Sequence, residues 1–263
     1  MQATNRRGFL KGAAFLGAAS VAPGIIATAD ERPVLRVALM SDIQGYPYPE
    51  DAGMRNLERA LDVLAPLKPD VVVNDGDIND SGNDMDAVAY YKSRCNARLG
   101  RIPHVACMGN HEIGFITKEN RTSAVCLREF NAVFGYASDD WLVHKVIGGC
   151  DFVALSLSRI EGYTTGEIAR LKDALDAAAA RDATHPIFVV THYHPQGTVN
   201  DSRSEAQGGA LRRLLDAYPQ VVSISGHTRG KRVRQDCHSK LPQYRSEMTW
   251  RQNGRGRILN FCL

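Results

Sequence analysis

Five short apolar runs in this chain each stop at residues able to ligate a metal, and this recurrence constrains the fold more than any other feature. Val34 to Met40, broken only by Arg36, ends at Ser41-Asp42-Ile43-Gln44. Asp70 to Val73 closes on Asn74-Asp75-Gly76-Asp77-Ile78-Asn79-Asp80. Ile102 to Met108 enters Gly109-Asn110-His111-Glu112. Ile187 to Val190 ends at Thr191-His192-Tyr193-His194-Pro195, and Val221 to Ile224 at Ser225-Gly226-His227-Thr228-Arg229. Short apolar runs bounded by turn residues read as buried strands. In open α/β sheets, ligands gather at the carboxyl ends of such strands.

Between the strands lie segments of helical period. Met54, Leu57, Leu61 and Leu64 predict an amphipathic helix over 51–65, ended by Pro66 and Pro69. Val88, Tyr91 and Cys95 mark a second over 84–99. Val125, Leu127, Phe130, Val133 and Phe134 mark a third around 121–133, inside a less regular section from 113 to 150. After a strand over Asp151–Leu157 come an Ala-rich helix, Glu167–Arg181, and a helix over 205–217 carrying Leu211, Leu214 and Leu215. Alternating strands and helices argue a layered α/β domain. If the five strands share one sheet, Asp42, Asp77, Asn110, His192 and His227 converge on one rim.

The 263 residues are 44% hydrophobic and 23% charged, which excludes a disordered chain. The net charge of +3 hides a division. Residues 1–29 hold Arg6, Arg7 and Lys11 and no acid, and 229–263 hold nine Lys or Arg against Asp236 and Glu247, so the segment between is strongly acidic. Thr4-Asn5-Arg6-Arg7-Gly8-Phe9-Leu10-Lys11, followed by an apolar stretch to Ile26 and by Ala27-Thr28-Ala29, looks like a twin-arginine export signal. The expected division is therefore a signal peptide over 1–29 and one domain over 30–263, with an atypical basic tail over 229–263. The expected location is periplasmic or otherwise extracytoplasmic, reached through the twin-arginine machinery. No further run is long and apolar enough to span a bilayer. Six cysteines show no C-x-x-C pair and no zinc-ligand spacing, and Cys107 reads as a buried small residue. In the tail, Tyr244 and Trp250 form no regular stripe with the basic residues, so nucleic acid is not the expected partner.

Two carboxylates, an amide and two imidazoles suit a divalent manganese, iron or zinc ion. Singly, each has a plain structural explanation, such as a turn or a helix cap. Their order resembles the calcineurin-like metallophosphoesterases, whose pattern runs D-x-H, G-D, G-N-H-[DE], H and G-H-x-H. The counterparts here are Asp42-Ile43-Gln44, Gly76-Asp77, Gly109-Asn110-His111-Glu112, His192 and Gly226-His227-Thr228-Arg229. The resemblance implies a β-sandwich of mixed sheets flanked by helices, with the metal site at strand carboxyl ends. It implies that Asp77 bridges two metals, that Asn110, His192 and His227 complete one seat, and that Asp42 serves the other. His194 is an alternative to His192. His111 would act on the leaving oxygen of a phosphate-ester substrate.

Two departures fall in one seat: Gln44 and Arg229 stand where the family has His. Gln offers a weak amide oxygen and Arg offers no lone pair. One complete seat and one deficient seat are therefore expected, with the Arg229 guanidinium pairing with Asp42 and presenting donors to phosphate. The implied reaction is hydrolysis of a phosphomonoester or phosphodiester by a metal-activated water. The alternative is a catalytically degenerate exported protein that binds metal or phosphate.

Overall fold

The computed structural model describes residues 35–114, 116, 121–197 and 209–227, with the backbone of 246–248 and 256–261. The expected signal segment over 1–29, Arg229 and most of the basic tail lie outside the described residues.

The element order is β1 (Leu35–Met40), α1 (Ala52–Leu64), β2 (Val71–Asn74), α2 (Asp86–Leu99), β3 (His104–Ala106), α3 (Asn110–Ile113), α4 (Ser123–Phe134), β4 (Leu142–Ile147), β5 (Cys150–Leu155), α5 (Thr165–Arg181), β6 (Ile187–Thr191), α6 (Ala210–Asp216), β7 (Val221–Ser225), β8 (Ser246–Met248) and β9 (Gly256–Phe261). Helix starts follow capping chemistry. The Asp51 side chain accepts from Met54 N at 2.9 Å, and Thr164 and Glu167 form a reciprocal capping box on α5.

The strands form two sheets, ordered β3-β2-β1-β9-β8 and β4-β5-β6-β7. This corrects the single-sheet expectation: Asp42, Asp77 and Asn110 follow strands of one sheet, His192 and His227 strands of the other. The apolar runs explain the division. Leu35, Val37, Leu39, Val71 and Val73 face Phe152, Ala154, Phe188 and Val190 in a core between the sheets. The alternate residues Ala38, Met40, Val72, Val153 and Val189 pack with helix residues such as Leu57, Tyr91 and Leu171. Strands buried on both faces read as unbroken apolar runs, whether they share a sheet or not. The Phe152 and Phe188 rings stack at 4.6 Å across β5 and β6, and truncating either to Ala would cost about 3–5 kcal/mol.

The section 113–150 holds a strand that its sequence pattern did not flag. β4 returns on β5 through Gly148-Gly149, at φ 58° and 83°, the positive pair that a two-residue hairpin turn requires. At the edge of the other sheet, the Tyr136 hydroxyl accepts from Ala106 N and donates to His104 O, both at 3.0 Å. Near the end of the chain β9 pairs antiparallel with β1, Leu35 opposite Phe261. No described helix is long and apolar enough to cross a membrane.

Candidate metal centre

The loops leaving β1 and β2 run side by side beyond the sheet. Asp42 N donates to Gly76 O at 3.1 Å, Gln44 N to Asp77 O at 2.9 Å and Gly45 N to Ile78 O at 3.0 Å. Their side chains are turned by unusual backbone: Asp42, Gln44, Asp77 and His227 have φ of 50°, 48°, 56° and 67°. Lys68 is the one other non-glycine with positive φ among the described residues. Left-handed backbone costs an L-residue roughly 1–2 kcal/mol. Such strain persists where surrounding structure enforces it, and it clusters at functional sites.

Close approach explains the motif glycines. A Cβ on Gly109 would collide with Asp77 and lie 2.8 Å from His192 Nδ1. One on Gly76 would lie 2.7 Å from both Gly109 N and His192 Nδ1. One on Gly226 would strike Ser41 and sit 2.8 Å from Asp75 Oδ1 and 3.0 Å from Asp42 Oδ2. The two sheets therefore bring their loops together over glycine backbone.

His192 lies at the centre, fully buried. Its Nδ1 is 2.9 Å from the Asp75 carbonyl, which can only accept, so Nδ1 carries a proton and Nε2 faces inward. Around Nε2 stand Asn110 Oδ1 at 3.0 Å, His227 Nδ1 at 3.2 Å and Asp77 Oδ2 at 3.3 Å. Ligand atoms of Asp77, His192 and His227 all lie within 4.8 Å of one another. A ligating imidazole whose other nitrogen is held by a carbonyl is the usual arrangement around a metal ion. This donor set fits a divalent ion.

Electrostatics point the same way. Burial works against charge on both Asp77 and His192, yet their mutual attraction wins: Asp77 is held down at about 2 and His192 lifted to about 9. Burial and the Asp42 charge push Asp75 up to about 7, and burial and the Asp77 charge do the same to Glu112. Among the described residues no Lys or Arg pairs with Asp75, Asp77 or Glu112. With no Lys or Arg among them, these carboxylates draw positive charge to this point, and the same field raises His192.

Asp42 joins the site from the β1 side, its Oδ2 accepting from His227 N at 3.2 Å and from the Ser41 hydroxyl. Gln44 also reaches it, but as a donor: its Nε2 gives a hydrogen bond to Asp77 Oδ2 at 3.2 Å. His111 stands at the rim, Nδ1 2.9 Å from the Asp80 carbonyl and Nε2 3.8 Å from Asp77 Oδ2. His194 is buried but outside the three-residue cluster, so the geometry brings in His192 of the two candidates. Whether Arg229 meets Asp42 falls outside the described residues.

Sequence reasoning missed two contributors. Asp75 adds a buried carboxylate beside Asp42, and its place two residues before Asp77 was the available signal. The Tyr163 hydroxyl accepts from His192 N at 2.9 Å and fixes the β6 exit; nothing in its sequence surroundings marks it.

The structure is similar to a dimetal phosphatase from Danio rerio, with TM-score 0.57 at 14% identity, covering 86% of this chain and 87% of that one. It is also similar to a purple acid phosphatase from yellow lupin (Lupinus luteus) seeds, with TM-score 0.49 at 15% identity over 74% of this chain and 38% of that one. Among curated proteins, none matches. The family profile described as calcineurin-like phosphoesterase matches residues 35–229, and the chain belongs to that family.

Proposed function

We propose that the chain hydrolyses a phosphomonoester or phosphodiester, using one divalent ion held by Asp77, Asn110, His192 and His227. The observation carrying this reading is the convergence of Asn110 Oδ1, His227 Nδ1 and Asp77 Oδ2 on His192 Nε2 within 3.3 Å. When bound there, the ion supplies Lewis-acid chemistry: it lowers the pKa of a water and polarises a phosphoryl oxygen. Manganese, iron and zinc all suit the donors.

The chain's own groups do the rest. The Asp75 carbonyl fixes the His192 tautomer, and Glu112 fixes the turn that carries Asp77. His111 is the proton donor. The Asp80 carbonyl holds its Nδ1–H, so the imidazolium presents Nε2–H at the rim, beside Asp77. Transfer of that proton to the leaving oxygen leaves the neutral tautomer that the same carbonyl stabilises. Gln44 donates to Asp77 where the family's pattern has a ligating His, which supports one ion rather than two. We further propose export through the twin-arginine stretch at Arg6-Arg7.

The second reading, a degenerate binder of metal or phosphate, rests on the same Gln44 and on Arg229. Metal analysis of purified full-length protein, with hydrolysis of nitrophenyl phosphate mono- and diesters in added manganese, separates the two. The hydrolase reading expects one ion per chain, turnover, and loss of turnover in His111→Ala with the ion retained. Turnover absent with every divalent metal would leave the binder.

A further inference from the structure

The molecule carries a second polar concavity, lined by basic residues, at the far end of the sheets. A groove of about 550 Å³ opens between the edge strands β3 and β4. Its walls include Lys92 of α2, Arg101 of the following turn and Lys145 of β4, over the ring of Phe134 and the imidazole of His104. The groove is well removed from the metal-ligand cluster. Its β4 wall ends where Ile147 pairs with Cys150, near the Asp151–Ile187 pair of β5 and β6. His192 follows the opposite end of β6, where Thr191 pairs with Leu155. Four residues of strand separate the two ends, roughly 13 Å.

Three basic side chains share this concavity. Among the described residues, no carboxylate pairs with Lys92, Arg101 or Lys145. The lysines rest on aromatic faces instead. Lys92 Nζ is 5.3 Å from the Phe134 ring centroid, and Lys145 Nζ is 4.5 Å from that of Tyr136. Lys145 Nζ also donates to His104 O at 3.3 Å. Burial, and then the charge of Lys145, bring Lys92 down to about 8; burial lowers Lys145 as well. Both shifts mean that charge here is held at a cost, which an arriving anion would relieve. The floor adds an unsatisfied polar group: His104 is 3% exposed, and its Nε2 has no hydrogen-bond partner among the described residues.

We propose that this groove is a binding site for a phosphate-class oxyanion, with Lys92, Arg101 and Lys145 as its counter-charges. Ammonium point charges and a planar guanidinium fork are the side-chain chemistry that recognises such anions. The anion is either free inorganic phosphate or the phosphate end of a small organic molecule. The site does not depend on the hydrolase reading.

The test is amide-resolved NMR on the metal-free full-length chain, titrated separately with inorganic phosphate and with a nucleoside monophosphate. The expected result is shifts at Arg101, His104 and Lys145, with a dissociation constant weakened about tenfold or more in Arg101→Gln and again in Lys92→Gln/Lys145→Gln. Response to inorganic phosphate supports the free anion, and response to the nucleotide alone supports the organic source. Shifts confined to Asn110, His192 and His227, no shifts with either probe, or an affinity unchanged in the folded Arg101→Gln variant would overturn the proposal.

Discussion

The carboxylate of Glu112 accepts the backbone N–H of Asp77 at 2.9 Å, so the turn bearing the central ligand is held by a side chain from the neighbouring loop. The same carboxylate accepts from Gly109 N at 2.6 Å, Ile78 N at 2.6 Å and Asn79 N at 3.1 Å. One buried carboxylate thereby organises the ends of β2 and β3 together. Its role is to fix the left-handed turn at Asp77.

Glu112→Ala leaves these four buried donors without their acceptor. Each unsatisfied donor costs on the order of 1–3 kcal/mol, so the expected loss is several kcal/mol. Urea unfolding measures it. Glu112→Gln keeps the shape but turns an amide NH2 toward two donors, and is expected to fall between the variant and the parent.

Gly109→Ala is expected to abolish tight metal binding while removing no ligand. Its added methyl would meet Asp77 and come 2.8 Å from His192 Nδ1, so the loops must part. Calorimetric titration with manganese should show at least a tenfold weaker association, about 1.4 kcal/mol. An unchanged affinity would mean that the two loops yield freely.

His104 gives the fold a pH dependence with a definite sign. Burial, followed by the charges of Lys92 and Lys145, pushes its imidazole from 6.5 down to about 3. The unfolded chain therefore takes up this proton near its ordinary value while the folded chain does not. Stability from this group is complete above the unfolded value and falls as pH drops towards the folded one. His104→Leu should shrink the stability difference between pH 7.5 and pH 4.5 by about 3 kcal/mol. Chemical unfolding of both proteins at the two pH values provides the comparison.

The count of bound ions is expected to respond to the departures from the family pattern. Parent protein in excess manganese should hold one ion per chain. Gln44→His/Arg229→His restores imidazoles at both positions and should raise the count towards two, read by elemental analysis after dialysis. Two ions already present in the parent would contradict the single-ion reading.

The chain alone determined its family and most of its described elements, β4 being an exception. Unbroken apolar runs such as Val71–Val73 specify strands buried on both faces, and Met54, Leu57, Leu61 and Leu64 specify the α1 face, because period and burial are local properties. The order of Asp42, Asp77, Asn110, His192 and His227 was equally legible. Tertiary structure decided what lies between distant segments. It divided the strands into two sheets, since a strand buried on both faces does not reveal its neighbours. It brought His192 rather than His194 to Asp77, since that choice depends on the Asp75 carbonyl meeting one ring across 117 positions of chain. It turned Gln44 into a donor to Asp77, placed Asp75 beside Asp42, and set Lys92, Arg101 and Lys145 around one groove. Side-chain orientation and charge density arise from packing in three dimensions, and spacing along one chain does not encode them.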